Sequence, residues 1–191
     1  MFAFIAREPI LDKSKSVFAY ELIFRDGKGG AYPEHSPEKA QYIEEQFHPL
    51  GLDDISGEKS SFINFSSETL ISRFPTTLDP ASVVVELADN PFTETGLLEA
   101  CQHIKQLGYR LAIDDPMMLS ARHDILPLID IVKVDVSRTR FETIEKHIPR
   151  YLDANVKLVA EQVNTPDHFA TCSDLGFDLF QGYFFAQPEA R

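Results

Sequence analysis

Residues 83–114 read VVVELADNPFTETGLLEACQHIKQLGYRLAID, and the order of patterns within them decides the fold class. Val83-Val84-Val85 is apolar on both faces, as a strand buried in a parallel sheet requires. Leu97, Leu98, Cys101, Ile104 and Leu107 then recur at helical spacing across Thr95–Leu107, and Gly108 supplies a stop. A second apolar run at Arg110–Ile113 completes a strand–helix–strand unit.

The alternation continues in both directions. Further strand candidates fall at Phe2–Ala6, Val17–Phe24, Ser61–Phe65, Ile131–Val136, Val156–Val163 and Leu179–Phe185, which with Val83–Leu87 and Arg110–Ile113 makes eight. Helices are predicted over Pro37–Phe47, behind Ser36 as N-cap, and over Thr165–Leu175, ended by Gly176. Leu11 to Ser16 is too short for a parallel crossover, so the first two strands read as a hairpin. The expected fold is α/β: a TIM-like (β/α) barrel with an antiparallel first strand. An open doubly wound sheet is the alternative. The 191 residues fall short of the ~250 typical of such barrels, so this one is expected to be shortened and to miss some helices.

Charge narrows the partners. Lys plus Arg total 18 and Asp plus Glu 30, a formal net charge of −12. So acidic a chain is unsuited to a nucleic acid polymer or an anionic membrane surface. No apolar run approaches the ~20 residues that span a bilayer, and Met1–Arg7 lacks the pattern of a signal peptide. Two cysteines, Cys101 and Cys172, make a disulfide scaffold improbable, so a cytoplasmic location is expected. His168 and Cys172 stand at helical i, i+4 spacing, which reads as a packed helix face in the absence of a second pair.

In a barrel, chemistry gathers at the C-terminal ends of the strands. The polar residues there are Glu21 and Arg25, Asn64, Glu86, Asp114 and Asp115, Lys133 and Asp135, Glu161, and Gln181. Carboxylates crowded at one mouth repel unless they take up protons or cations. Their oxygens, with that of Asn64, are hard ligands suited to magnesium, manganese or calcium.

Seven short motifs carry a family resemblance. They are Tyr20-Glu21-Leu22-Ile23-Phe24-Arg25, Ile63-Asn64-Phe65-Ser66, Val85-Glu86-Leu87, Ile113-Asp114-Asp115, Val132-Lys133-Val134-Asp135, Val159-Ala160-Glu161 and Phe180-Gln181-Gly182-Tyr183-Phe184-Phe185. In this order they resemble the bacterial EAL domain, a cyclic di-GMP phosphodiesterase family. The resemblance implies one metal site at Glu21, Asn64, Glu86 and Asp114, and a second at or near Asp114, Asp115 and Glu161. It implies Mg2+ or Mn2+ as the cations. It makes Lys133 and Glu161 the catalytic pair, with Arg25 and Gln181 contacting the ligand or its water. The product would be the linear dinucleotide.

Departures from the family pattern accompany these matches. Pro116-Met117-Met118-Leu119 stands where the family has Phe-Gly-Thr-Gly, Gln162 where it has glycine, Asn164 and Asp89 where it has glutamate, and Glu8 where it has glutamine. Pro116 fixes φ, and methionine does not reach the angles open to glycine, so the loop after Asp115 is expected to follow another path. The pattern resembles the divergent EAL half of two-domain proteins that continue into a modified HD (HDOD) domain. Residues 1–191 are therefore expected to form one divergent EAL domain, N-terminal to an HDOD domain in a longer protein. The expected role is signal transduction by ligand or protein binding with catalysis degenerate, an active phosphodiesterase being the alternative. Alternate residues of the last strand point outward, so at least one of its bulky aromatics, Tyr183, Phe184 or Phe185, is expected to be poorly covered within the domain and to be covered by that downstream domain or by a second copy in a homodimer.

Overall fold

The computed structural model describes residues 4–25, 52–72, 78–87, 96–114, 125–185 and 189–190. The predicted helix Pro37–Phe47, Asp89 and the Asp115–Leu119 stretch lie outside them.

Eight strands close a barrel: β1 (Phe4–Asp12), β2 (Val17–Arg25), β3 (Ser60–Phe65), β4 (Val83–Leu87), β5 (Arg110–Asp114), β6 (Ile131–Asp135), β7 (Lys157–Glu161) and β8 (Leu179–Phe180). β2 to β8 pair in chain order as parallel neighbours, and β1 closes the ring antiparallel to both β2 and β8. This is the expected barrel with a reversed first strand, and the open-sheet alternative is excluded. The hairpin turns where Asp12 Oδ1 accepts from the Ser14 N–H at 2.8 Å and the Ser16 N–H at 3.0 Å. Lys15 takes a positive φ of 64° there.

The edges of this reading need correction. β1 runs on through Pro9 to Asp12 rather than stopping at Ala6. β8 is two residues long, not the predicted Leu179–Phe185. The chain leaves the sheet after Phe180 because Gln181 and Gly182 fold back on Val163. The Val163 N–H donates to Gln181 O at 2.9 Å, and the Phe184 N–H donates to Val163 O at 3.1 Å. The short β8 pairs only Leu11 and Asp12 of β1, and an unforeseen strand β9 (Glu189–Ala190) pairs with Ala6 and Arg7 on β1. Tyr183 is 64% exposed, whereas Phe184 and Phe185 are half-buried against Phe169.

Five α-helices are described: α1 (Leu52–Ser56), α2 (Ser67–Ile71), α3 (Leu97–Gln106), α4 (Phe141–Asp153) and α5 (Pro166–Asp174). Ser66 and Thr165 cap α2 and α5, each side-chain oxygen accepting a backbone N–H three residues on. Burying apolar faces against the strands, the helices form an outer core that joins Cys101, Ile104, Ile144, Ile148, Tyr151 and Cys172 to residues such as Val85, Leu111, Val134 and Leu158. The presumed packing of Cys172 is borne out: it is fully buried, and burial pushes its thiol up to about 12.

Inside the barrel, each strand contributes one apolar residue to a second cluster: Ile10, Ala19, Phe62, Val84, Ala112, Ile131, Val159 and Leu179. Strand side chains repeat with period two. The next inward position toward the mouth is therefore Glu8, Glu21, Asn64, Glu86, Asp114, Lys133 or Glu161 on β1 to β7 in turn, with Gln181 directly after β8. One step along every strand takes the interior from wholly apolar to wholly polar.

Gly182 fixes the end of this ring. Its φ is 144°, and a Cβ there would lie 2.5 Å from Val163 N. Gly182→Ala is expected to lose roughly 2–4 kcal/mol in chemical denaturation, through backbone strain and overpacking together.

Candidate active site

Lys133 stands at the centre of the polar ring. It rises from β6, is 1% exposed, and has Val132 and Val134 beside it in the outer core. Its Nζ lies 2.7 Å from Glu86 Oε1, 2.8 Å from Glu161 Oε1, 3.2 Å from Glu21 Oε2 and 3.7 Å from Asp114 Oδ1. Four strands thus aim carboxylates at one ammonium. Gln181 donates from Nε2 to Glu21 Oε2 at 2.7 Å. It also donates to Glu8, which faces Glu21 across the hairpin.

Four carboxylates around one cation leave an excess of negative charge in a largely dry space, and proton affinities respond. Burial raises the Glu86 carboxyl well above its usual range, Lys133 offsetting only part of this. Burial likewise raises Glu161 to about 7, against the pull of Lys133. Glu8 is raised by burial and by the nearby charge of Glu21. Burial alone would lower Lys133, but Glu161, Glu21, Glu86 and Asp114 outweigh it and hold the ammonium charged.

The donor set fits divalent cations. Among the described residues no three acidic, His or Cys side chains are set around a point that a metal ion could fill, because the carboxylates close on the Lys133 ammonium instead. Yet Asn64 Oδ1, Glu86 Oε2 and Gln181 Oε1 are buried acceptors with no hydrogen-bond partner. Such atoms are costly to leave unsatisfied, and a hard cation satisfies amide and carboxylate oxygens together.

The structure therefore gathers Glu21, Asn64, Glu86, Asp114, Lys133, Glu161 and Gln181 at one mouth. Arg25 ends β2, its side chain outside the described residues, and Asp115 lies wholly outside them. Asp135 is not drawn in. Its carboxylate accepts from Ser137 N and Oγ and pairs with Arg138 at 3.3 Å.

Two sequence departures have a visible solution. Gln162, where the family motif has a glycine, adopts φ 57°, a left-handed conformation that glycine takes more readily. Asn164, in the place of a glutamate, accepts the Tyr183 N–H on Oδ1 at 3.2 Å and so anchors the turn that follows Gln181.

The EAL domain family model matches residues 44–188. Cyclic di-GMP phosphodiesterase CdgJ of Vibrio cholerae is 37% identical, over 97% of this chain and 44% of its own length. The chain thus spans less than half of that relative. Klebsiella pneumoniae BlrP1, solved with calcium and cy-diGMP, superposes with a TM-score of 0.78 at 20% identity, over 98% of this chain and 56% of its own. An EAL domain protein from Listeria monocytogenes superposes at 0.74 with 21% identity, over 97% and 88% of the two chains. These superpositions bear out the barrel fold.

The raised carboxyls give a pH dependence of definite sign. Glu161 titrates near 7 when folded and near 4.5 when unfolded, so the folded state holds the extra proton. The stability this brings is complete below about 4.5 and lost as pH rises through 7. In chelator, the melting temperature is expected to fall by roughly 3–8 °C between pH 5 and pH 8. Glu161→Gln, fixed in a neutral form, should flatten that slope in the same scanning calorimetry. Gln162→Gly, which relieves a left-handed glutamine, should add roughly 0.5–1.5 kcal/mol in urea titrations.

Proposed function

The chain belongs to the EAL domain family, and on that premise we propose that it is a cyclic di-GMP phosphodiesterase domain acting in bacterial signal transduction. The observation that carries this reading is the convergence of Glu21, Glu86, Asp114 and Glu161 on buried Lys133, with Asn64 Oδ1 and Glu86 Oε2 left unpartnered. The identity to a relative named as such a phosphodiesterase supports the substrate. Residues 1–191 would act as one EAL domain of a longer cytoplasmic protein. An HDOD domain or a second copy of this chain is the proposed partner of that unit.

Magnesium or manganese, held by Glu21, Asn64, Glu86 and Asp114 and by Asp114, Asp115 and Glu161, would supply Lewis acidity for attack of water on a phosphodiester. This chain's residues do the rest. Glu161, whose Oε1 lies 2.8 Å from Lys133 Nζ, is the carboxylate placed to take a proton from the attacking water. Lys133, kept charged by its neighbours, stabilises the negative charge that grows on the phosphate. Gln181 is placed by the Gly182 turn and held on Glu21, and with Arg25 orients the ligand or its water. Hydrolysis of one phosphodiester gives the linear dinucleotide.

The sequence departures lean toward binding without turnover. Two of them, Gln162 and Asn164, are accommodated in place, which moves the balance toward hydrolysis. One observation still favours binding alone. Glu8 sets a buried carboxyl beside Gln181, where the family has a neutral amide and an anionic ligand would approach.

One set of measurements separates the two. Manganese at 100 times its Kd is expected to raise the melting temperature by about 5–10 °C, an effect lost in Asp114→Asn. Calorimetry should then show cyclic di-GMP binding, and chromatography of the mixture should show linear product at roughly 1 per second or more. Glu21→Ala and Lys133→Ala should abolish turnover. Binding with no linear product would replace hydrolysis by the binding reading, and no manganese shift would overturn both.

A further inference from the structure

At the opposite end of the barrel from the mouth lies a cavity of about 490 Å³. The first residues of β5, β6 and β7, namely Arg110, Ile131 and Lys157, line it, with Phe18, Asp130 and Asn155. It lies within the size range of small-molecule sites.

Its charge runs against that of the chain. Arg110 enters the cavity half-buried, and its only described protein contacts run from Nη2, at 2.8 Å to Ser60 Oγ and at 3.5 Å to Ala81 O. The Lys157 ammonium has no carboxylate partner among the described residues and rests 5.3 Å from the centre of the Phe18 ring. Among the described residues Asp130 supplies the one acidic group in the lining, and it is already engaged. Its Oδ2 binds Lys105 Nζ at 2.5 Å and accepts the Leu111 N–H at 2.7 Å. Two cations with no ion pair among the described residues therefore share one cavity in a chain of net charge −12. Burial disfavours the charge on Arg110, Asp130 offsetting part of this, so an entering anion would relieve it further.

We infer that this cavity is a second ligand site, separate from the mouth, that takes an organic phosphomonoester of nucleoside-monophosphate size. Two positive groups match the charge of about −1.5 to −2 that a phosphomonoester carries near pH 7, whereas a carboxylate brings half of that. The guanidinium fork suits phosphate oxygens, and the ammonium adds a point charge. Phe18 and Ile131 offer an apolar wall to the organic part, and the cavity is far larger than a bare phosphate fills. The inference does not depend on whether the mouth hydrolyses its ligand.

The experiment titrates the full chain with GMP in chelator, which withholds divalent cations from the mouth, and follows backbone amide NMR signals. Saturable binding with Kd below about 1 mM is expected, with the largest shifts at Phe18, Asn155 and Lys157. Lys157→Met should weaken GMP by about tenfold or more, the size of one charge-assisted contact. Arg110→Met should weaken it further, and Lys157→Met, at an exposed site, keeps the test usable if Arg110→Met fails to fold. Guanosine and inorganic phosphate should each bind at least about tenfold more weakly than GMP. No saturable binding, shifts confined to residues of the mouth, unchanged affinity in Lys157→Met, or phosphate binding as well as GMP would each overturn the proposal.

Discussion

Burying the Lys133 ammonium is the constraint around which the interior is arranged. A lone ammonium taken out of water loses several kcal/mol of hydration, and only well-placed anions return it. Here β2, β4, β5 and β7 each supply one. The carboxylates face the converse problem, since without Lys133 their mutual repulsion would have no counterweight. Each partner makes burial of the others tolerable, so the strands must hold their register to within one residue. A slip by one would turn the whole polar set outward and bring outer-core residues such as Val134 and Ala160 inside.

The barrel and its polar ring were legible because strand periodicity carries both. Glu21, Asn64, Glu86, Asp114, Lys133 and Glu161 each follow an apolar run, and two positions before each stands a residue of the inner cluster. Other elements were hidden for physical reasons. Pro149 reads as a helix breaker, yet α4 runs through it because Ile144, Ile148 and Tyr151 bury one face on the barrel. Pro9 disguised the length of β1 in the same way. The aromatic run after Gln181 has strand propensity, but the backbone of Gly182 and the hydrogen bonds to Val163 impose a turn. The cavity at the far end has no signature at all, because its lining comes from the starts of four strands, β2, β5, β6 and β7, and the turns between elements.

Substitution of a glycine does not by itself redirect a chain. Gln162 is fixed on both sides, by β7 before it and by the Val163 hydrogen bonds after it, so the surroundings impose the left-handed angle. Asn164 shows the complementary case. The carboxylate expected there is gone, but one oxygen remains at the right reach for the Tyr183 N–H. At these two positions Gln162 takes the left-handed angle and Asn164 supplies an acceptor, without a glycine or a carboxylate.

The antiparallel β1 also sets the order in which the molecule can be assembled. Its hairpin with β2 is local and can form early, but its other edge meets β8 and β9 from the far end of the sequence. During synthesis that edge must wait, with its backbone groups unpaired, until almost all of this segment has left the ribosome. Closing the ring is therefore a long-range and slow event. Until it happens, the hairpin carries a strand edge open to the wrong neighbour. The Lys133 cluster, which draws Glu21 of β2 together with Glu161 of β7, is complete only once the ring has closed.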